Sequence, residues 1–238
     1  MYTVFGEFFY QIAWVHIVIH ADPYAFVLVG CSLVSLTVAA YAWRRRPSPG
    51  ALPAALFMLA AAEWTLAYAL ELTFVDPSVK LFWAKAQYLG ITVVGPLLLI
   101  IVLEYLDMRG LFNRGLLVAL FIVPAVTLIL AWINEAHGWI WSRVELVGAP
   151  PNAQFTFQYG PVFWAHAAYS YACILIATAL LIRALHRVSQ LYRPQIVIVL
   201  ISIIAPWAAN IMRLAQRNPS GYLDLTPFTF ATSGLIII

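Results

Sequence analysis

The sequence predicts an all-α polytopic membrane protein with seven transmembrane helices, an additional apolar helix at the N-terminus, and a small extracellular β-hairpin between the fourth and fifth helices. Of the 238 residues, 63% are hydrophobic and only 10% are charged, and the mean hydropathy is +0.88. A soluble domain carries about 25% charged residues, so this composition excludes a soluble globular protein. Long apolar runs alternate with short polar connections, and most of these runs approach the ~20 residues that a spanning helix needs.

Residues 1–21 form the first predicted element, an apolar helix whose only charged residue before Asp22 is Glu7. No basic residue flanks this segment, so no positive charge assigns it to one side of the membrane. We expect this helix to lie in or against the outer surface of the membrane. The alternative is that it forms an eighth span. Asp22 and Pro23 then give a helix-start signal, with Asp as the cap and Pro in the first turn. Residues 22–238 are therefore predicted to form one seven-helix domain.

Seven runs in this domain are apolar along their length and show no competing alternation of period two. They cover Tyr24–Trp43, Leu52–Thr73, Val79–Leu106, Leu116–Ile133, Pro161–Leu185, Pro194–Leu214 and Tyr222–Ile238. The last run is short and has no polar stop, from which we expect a cytoplasmic continuation. Pro96, Pro124, Pro206 and Pro227 lie within runs and predict kinks.

The connection 134–160 is long enough to hold structure of its own. It contains two alternating runs, Trp141–Leu146 and Gln154–Gln158, separated by a turn-forming stretch at 148–152. This pattern is typical of a β-hairpin. A hairpin above the bundle would act as a lid, with Trp139 or Trp141 entering a cavity, and an interfacial anchor is the alternative.

The distribution of Lys and Arg predicts the orientation of the chain. Eight of the 13 basic residues lie at one set of alternate connections: Arg44, Arg45, Arg46, Arg109, Arg114, Arg183, Arg187 and Arg193. Five lie at the other set: Lys80, Lys85, Arg143, Arg213 and Arg217. We expect the first set to be cytoplasmic in a cell membrane, with the N-terminus outside and the C-terminus inside. The net charge of +3 and the position of these residues in connections argue against a nucleic-acid partner.

Charged side chains inside a bilayer mark either functional sites or structural ion pairs. Glu63 lies near the middle of the second span, Glu71 lies two turns nearer its outer end, and Lys85 lies two turns into the third span. With the predicted topology, a ligand pocket would open outward. Its candidate residues are Trp64, Tyr68, Glu71, Trp83, Lys85, Gln87, Tyr88, Trp141, Trp164, His166, Asn210, Arg213 and Asp224. The alternative is purely structural, with interfacial aromatic belts and mutual neutralisation of Glu71 and Lys85.

The donors of this pocket, beside Lys85 and Arg213, suit a small aromatic or anionic ligand. No metal site is predicted, because His16 and His20 are expected to be interfacial polar tips. Cys31 and Cys173 lie in apolar runs and are expected to be small buried hydrophobes. No Ser/His or paired-Asp arrangement predicts catalysis, and no cofactor is predicted.

Several short motifs follow one another along the chain. They are Trp64-x3-Tyr68-x2-Glu71, Trp83-Ala84-Lys85-x2-Tyr88-Leu89-Gly90, Pro96, Tyr105, Pro124, Asn134-x2-His137, Trp141, Tyr159-Gly160-Pro161-x2-Trp164, Tyr169, Tyr171, Tyr192-Arg193-x-Gln195, Pro206-x3-Asn210 and Asp224-Leu225-Thr226-Pro227-Phe228. From about Tyr24 to the end, the sequence resembles the seven-helix N-terminal sensor region of bacterial membrane histidine kinases. Residues 1–21 and Glu63 lie outside this pattern.

The resemblance implies a receptor in which a stimulus at the outer half of the bundle is passed by the seventh helix to a cytoplasmic output module, such as a histidine kinase. It also implies a homodimer formed through that module, and a sensor segment without catalytic activity of its own. A retinal photoreceptor is disfavoured, since Lys80 and Lys85 are the only lysines and neither lies in the last span. A small-solute or ion transporter is the alternative function, against which the odd number of spans argues.

Overall fold

The computed structural model describes residues 19–108, 110, 113–187, 190, 193–214 and 224–237. Most of the predicted N-terminal helix lies outside the described residues, and so do the side chains of 205, 213, 214 and 234–237. Immediately before the first described helix, Ile19 forms an isolated β-bridge with Phe74, and the backbone N–H of His20 donates to the carbonyl of Thr73 at 2.8 Å.

The fold is mostly helical, with one small sheet. The elements are α1 (Pro23–Arg44), α2 (Ala51–Thr73), α3 (Pro77–Ala86), α4 (Tyr88–Tyr105), α5 (Arg114–Trp132), a 3₁₀ turn (Asn134–Ala136), β1 (Trp141–Val147), β2 (Gln154–Tyr159), α6 (Pro161–Leu185), α7 (Arg193–Leu214) and α8 (Thr226–Ile237). Within the described residues, six helices are long and apolar enough to cross a membrane: α1, α2, the combined α3–α4, α5, α6 and α7. Helix α8 has 12 residues, so the seventh span stays a prediction.

Three of the helices begin at a side-chain cap that the sequence encodes. The Asp22 carboxylate accepts from the backbone N–H of Tyr24 at 2.8 Å, as predicted for the start of α1. Asp76 accepts from two backbone N–H groups of α3, and Asn113 accepts from Leu116 in α5. Each cap satisfies N–H groups that have no partner within the first helical turn.

Helices α2 and α3–α4 form the centre of the bundle. In their most apolar stretches 72% and 83% of the residues are buried, against 17–33% in the other four candidate spans, which expose their outer faces. At the α2–α4 contact, a Cβ atom added to Gly90 would lie 2.9 Å from Glu63 Oε2 and 2.9 Å from Trp64 Cβ. The absence of a side chain at Gly90 therefore allows these two helices to approach closely.

The third predicted span has nearly the predicted extent, but it is divided. Helix α3 ends at Ala86 and α4 begins at Tyr88, with Gln87 as the residue between them. Gln87 keeps helical backbone angles, its N–H donates to the carbonyl of Trp83 and its carbonyl accepts from Ile91, so α3 and α4 together form one candidate span, Pro77–Tyr105. Gln87 is buried and its side chain bonds to a residue of α2, a long-range contact that sequence periodicity does not encode.

The predicted hairpin is present as an antiparallel pair of strands between α5 and α6. Trp141 pairs with Tyr159, and the register shifts directly after Trp141. Asn134 fixes the base of the hairpin: its Oδ1 accepts from the N–H groups of Ile140 and Trp141, and its Nδ2 donates to the Trp141 carbonyl, each at 3.0 Å. The extracellular location of the hairpin stays a prediction.

The opposite end of the bundle holds the connections rich in arginine. There the backbone N–H of Gly50, directly before α2, donates to Glu104 Oε2 at the end of α4 at 2.5 Å. Glu104 thus holds two connections together at this end. Which end faces the cytoplasm stays a prediction.

Candidate functional site

A cavity lies beneath the hairpin, with about 820 Å³ of empty space that is partly open to solvent. We call it the hairpin cavity. Its walls come from the ends of α2 and α3, the start of α4, strand β2, the first turn of α6, the outer part of α7 and the residues before α8. The lining residues are Trp64, Tyr68, Glu71, Leu72, Lys80, Ala84, Gln87, Tyr88, Ile91, Trp141, Gln154, Phe155, Phe157, Tyr159, Phe163, Asn210 and Asp224.

The polar wall of the hairpin cavity centres on Glu71. Its carboxylate accepts from Nε2 of Gln87 at 2.5 Å. Its backbone carbonyl accepts from Nζ of Lys80 at 2.6 Å. Glu71 and Lys80 are only 7% and 2% exposed, so both charged side chains are kept largely out of solvent, where charges are screened less than at a surface.

A second polar contact ties the start of α8 to the same wall. The backbone N–H of Asp224 donates to the hydroxyl of Tyr68 at 2.7 Å, and the hydroxyl of Tyr24 donates to the Asp224 carbonyl at 3.2 Å. Oδ1 of Asp224 accepts from the backbone N–H of Thr226 at 2.9 Å. Two residues of α1 and α2 therefore hold the segment that leads into α8.

The roof of the hairpin cavity is aromatic. Because side chains alternate along a strand, Phe155, Phe157 and Tyr159 of β2 share one face, and all three line the cavity. Trp141 stacks on Phe157 with ring centroids 4.6 Å apart and meets Tyr88 edge to face at 5.4 Å. The hairpin thus lies over the bundle as an aromatic lid.

A second cavity, with about 540 Å³ of empty space that is partly open to solvent, lies among α2, α4, α6, α7 and α8. We call it the inner cavity. It shares Trp64, Ile91, Phe163 and Asn210 with the hairpin cavity. Its other lining residues are Val94, His166, Ala167, Ser170, Tyr171, Ile174, Pro206, Trp207 and Phe230. Ser170 Oγ lies 3.2 Å from Nε2 of His166, and the Tyr171 hydroxyl donates to Oδ1 of Asn210.

The comparison with protein families identifies the chain. Residues 27–238 match the family described as the N-terminal 7TM region of histidine kinase. The chain belongs to this family. A search of curated proteins finds no match. The resemblance stated from the sequence motifs is thus confirmed: the chain is a membrane sensor region of the kind linked to a histidine kinase, and this region is not the catalytic part of such a kinase.

Eight of the 13 predicted site residues line the hairpin cavity of this sensor region: Trp64, Tyr68, Glu71, Gln87, Tyr88, Trp141, Asn210 and Asp224. His166 lines the inner cavity instead. Trp83, Lys85 and Trp164 line neither, and the side chain of Arg213 lies outside the described residues. The role of all 13 residues in ligand binding stays a prediction. The geometry favours it for the eight residues that line the hairpin cavity.

Lys85 contacts a different partner from the one considered in the sequence. Its Nζ lies 2.5 Å from a carboxylate oxygen of Glu135 and donates to the carbonyl of Trp132 at 3.1 Å. Mutual neutralisation of Lys85 and Glu71 was therefore wrong, because the α3 face that carries Lys85 is turned toward α5. Partial burial acts to raise the pKa of Glu135, but its hydrogen bond to Lys85 and the Lys85 charge outweigh burial and hold the pKa below its usual value.

Two predicted tryptophans lie at the rim of the structure. Trp83 stacks against Phe74 with nearly parallel rings and centroids 6.5 Å apart. Trp164 is 50% exposed and meets Tyr159 edge to face at 6.2 Å. Both are placed as interfacial aromatic residues would be.

Lys80 is a charged residue of the hairpin cavity that was not among the 13 predicted site residues. Helical periodicity would have predicted it, because Lys80 and Ala84 share one helix face with the predicted residue Gln87, at i, i+4 and i+7. All three line the hairpin cavity. Lys85 is offset by five positions from Lys80 and so lies on another face. The alternation in β2 would likewise have selected Phe155 and Phe157.

Glu63 occupies a separate place. It lines a groove on the side of the bundle between α2, α4 and α5, together with Leu56, Leu59, Ala60, Leu89, Val93, Leu97 and Phe121. Its Oε2 is buried and has no hydrogen-bond partner among the described residues. Glu63 therefore does not belong to either cavity.

Proposed function

We propose that this sensor region binds a small-molecule signal in the hairpin cavity and relays binding through α8 to a cytoplasmic output module such as a histidine kinase. The observation that carries the proposal is the double role of Tyr68. Its side chain lines the cavity, and its hydroxyl accepts the backbone N–H of Asp224, which directly precedes α8. A ligand that moves Tyr68 would therefore act on the segment that positions α8.

A second contact supports the same relay. The ring of Trp64, another wall residue of the cavity, lies 5.4 Å from the ring of Phe230 in α8. Phe230 also packs on Phe57 of α2 at 6.1 Å. A ligand shifts the bundle only if it binds one arrangement of the helices better than another. Because the cavity wall contacts α8 directly, a different position of α8 would change the wall and so the affinity for the ligand.

The proposed ligand is a small aromatic molecule with polar groups. The aromatic lid offers stacking surfaces, and the buried wall offers the Lys80 ammonium, the Glu71 carboxylate and the Gln87 amide. An anionic group of the ligand would meet Lys80, in place of the Lys85 expected from the sequence. The proposed orientation puts the hairpin outside the cell and the arginine-rich connections in the cytoplasm, with a homodimer formed through the output module.

Native mass spectrometry of the chain extracted in mild detergent tests this proposal, with Lys80→Gln and Lys85→Gln compared as a matched pair. Both variants remove one ammonium from α3, but only Lys80 lines the cavity. We expect a co-purified small molecule with the wild type and Lys85→Gln, and its loss from Lys80→Gln. Thermal unfolding of each variant separates lost binding from lost folding.

Equal retention of the molecule by both folded variants would contradict the assignment of the site. A wild-type chain without any adduct, and without a thermal shift in a panel of aromatic metabolites, would contradict ligand sensing altogether.

A further inference from the structure

The inner cavity is lined by three residues whose buried polar atoms have no hydrogen-bond partner among the described residues. These atoms are Nε1 of Trp64, Nε1 of Trp207 and Nδ1 of His166. Buried polar groups in folded proteins are paired in the great majority of cases, and an unpaired one costs free energy. Three residues that line one cavity thus carry unpaired polar atoms, which an occupant with complementary groups would satisfy.

The two indoles define the chemistry of the missing partner. An indole N–H is a donor and never an acceptor, so its complement is an acceptor atom. His166 gives a less specific signal, because its Nε2 lies 3.2 Å from Ser170 Oγ and its ring also lies beside the backbone of Ile91.

The remainder of the wall excludes a charged ligand. No Asp, Glu, Lys or Arg is among the described residues that line the inner cavity. Val94, Ile174, Pro206 and Phe230 supply apolar surface instead. A charged group in this place would have no counter-ion in the described wall and would lose its hydration.

We propose that the inner cavity binds a neutral, hydrophobic molecule through acceptor oxygens, of the class of ketones, esters and amides, that accept from the indole N–H groups of Trp64 and Trp207. This goes beyond the proposed function, because the cavity is distinct from the polar hairpin cavity and makes a different chemical demand. An occupant would contact α8 directly through Phe230.

The test uses NMR of the full chain in lipid nanodiscs, with ¹⁵N in the indole rings of its nine tryptophans. Two probes of the same shape are compared at matched membrane concentrations: acetophenone, which has a carbonyl oxygen, and α-methylstyrene, which has a methylene group in its place. Trp64→Phe and Trp207→Phe identify the two relevant signals by their loss. Trp164→Phe identifies a control signal from a half-exposed indole that lines neither cavity.

We expect acetophenone to move the Trp64 and Trp207 indole proton signals downfield in a saturable manner, and α-methylstyrene to leave their hydrogen-bond shift unchanged. Each Trp→Phe change should weaken acetophenone binding about fivefold, the equivalent of one hydrogen bond of ~1 kcal/mol. The Trp164 signal should stay in place. If Trp64→Phe lowers the folded yield, Trp207→Phe alone carries the comparison.

Two results would overturn the proposal: no response of the two signals to acetophenone, or an equal response to both probes. The proposed function fails separately, since its test depends on Lys80, which lines only the hairpin cavity. The Trp64 and Trp207 signals should still respond to acetophenone in Lys80→Gln.

Discussion

Asn134 is expected to determine whether the hairpin stays over its cavity. Its amide makes three hydrogen bonds of 3.0 Å to Ile140 and Trp141, residues that are 0% and 4% exposed. Asn134→Ala removes all three and leaves two buried N–H groups without that acceptor. At about 1 kcal/mol for each bond, the hairpin base should lose about 3 kcal/mol of local stability, so that local opening becomes roughly 100-fold more frequent.

Amide hydrogen exchange of residues 140–142 and 157–160 in nanodiscs measures this opening directly. Asn152→Ala is the matched control, because Asn152 is exposed in the hairpin turn and its removal should leave exchange at the base unchanged. Asn134→Asp should give an intermediate effect, since the acceptor remains and the donor to Trp141 is lost. Exchange at the base of Asn134→Ala within threefold of wild type would refute the argument that this side chain holds the hairpin.

Two further predictions concern the packing and the charge of the bundle. Gly90→Ala should destabilise the fold by about 1–3 kcal/mol, because the added Cβ would lie 2.9 Å from atoms of Glu63 and Trp64. Gly30→Ala is the control, since nothing lies within 4 Å of its added Cβ. Equal thermal stability of the two variants would contradict close packing at Gly90. The lowered pKa of Glu135 means that its ionised form favours folding, so this contribution is present above the ordinary pKa of about 4.3 and is lost as pH falls through the lower folded value. The melting temperature of wild type should therefore exceed that of Glu135→Gln slightly at pH 7, since the Glu135 side chain is 59% exposed. The difference should shrink as the pH falls below the ordinary carboxyl pKa, and a difference that stays constant on acidification would contradict the assignment.

The helical elements could be predicted from the sequence because their signals are local. Apolar runs of spanning length determine the helices, and Asp22 and Pro23 determine the start of α1. The alternation before and after residues 148–152 determines the hairpin. In each case the physical cause lies within a few residues of its effect.

The site was predicted less completely, because its partners are distant in the chain. Lys85 is separated from Glu135 by 50 positions, and Gln87 from Glu71 by 16. Both glutamates were visible in the sequence, but the choice of partner depends on which face of α3 turns toward α2 and which toward α5.

Trp64 connects the two proposed sites in a way that constrains both. It lines the hairpin cavity and the inner cavity, and its ring packs on Phe230 of α8. Its Cβ lies at the close approach of α2 to Gly90, so the side chain cannot move far without displacing either α4 or α8. Occupants of the two cavities would therefore bias the same side chain, and binding free energies that are coupled through a shared residue are coupled equally in both directions. If a ligand of the hairpin cavity strengthens acetophenone binding, acetophenone must therefore strengthen the binding of that ligand by the same factor. This coupling should be lost in Trp64→Leu.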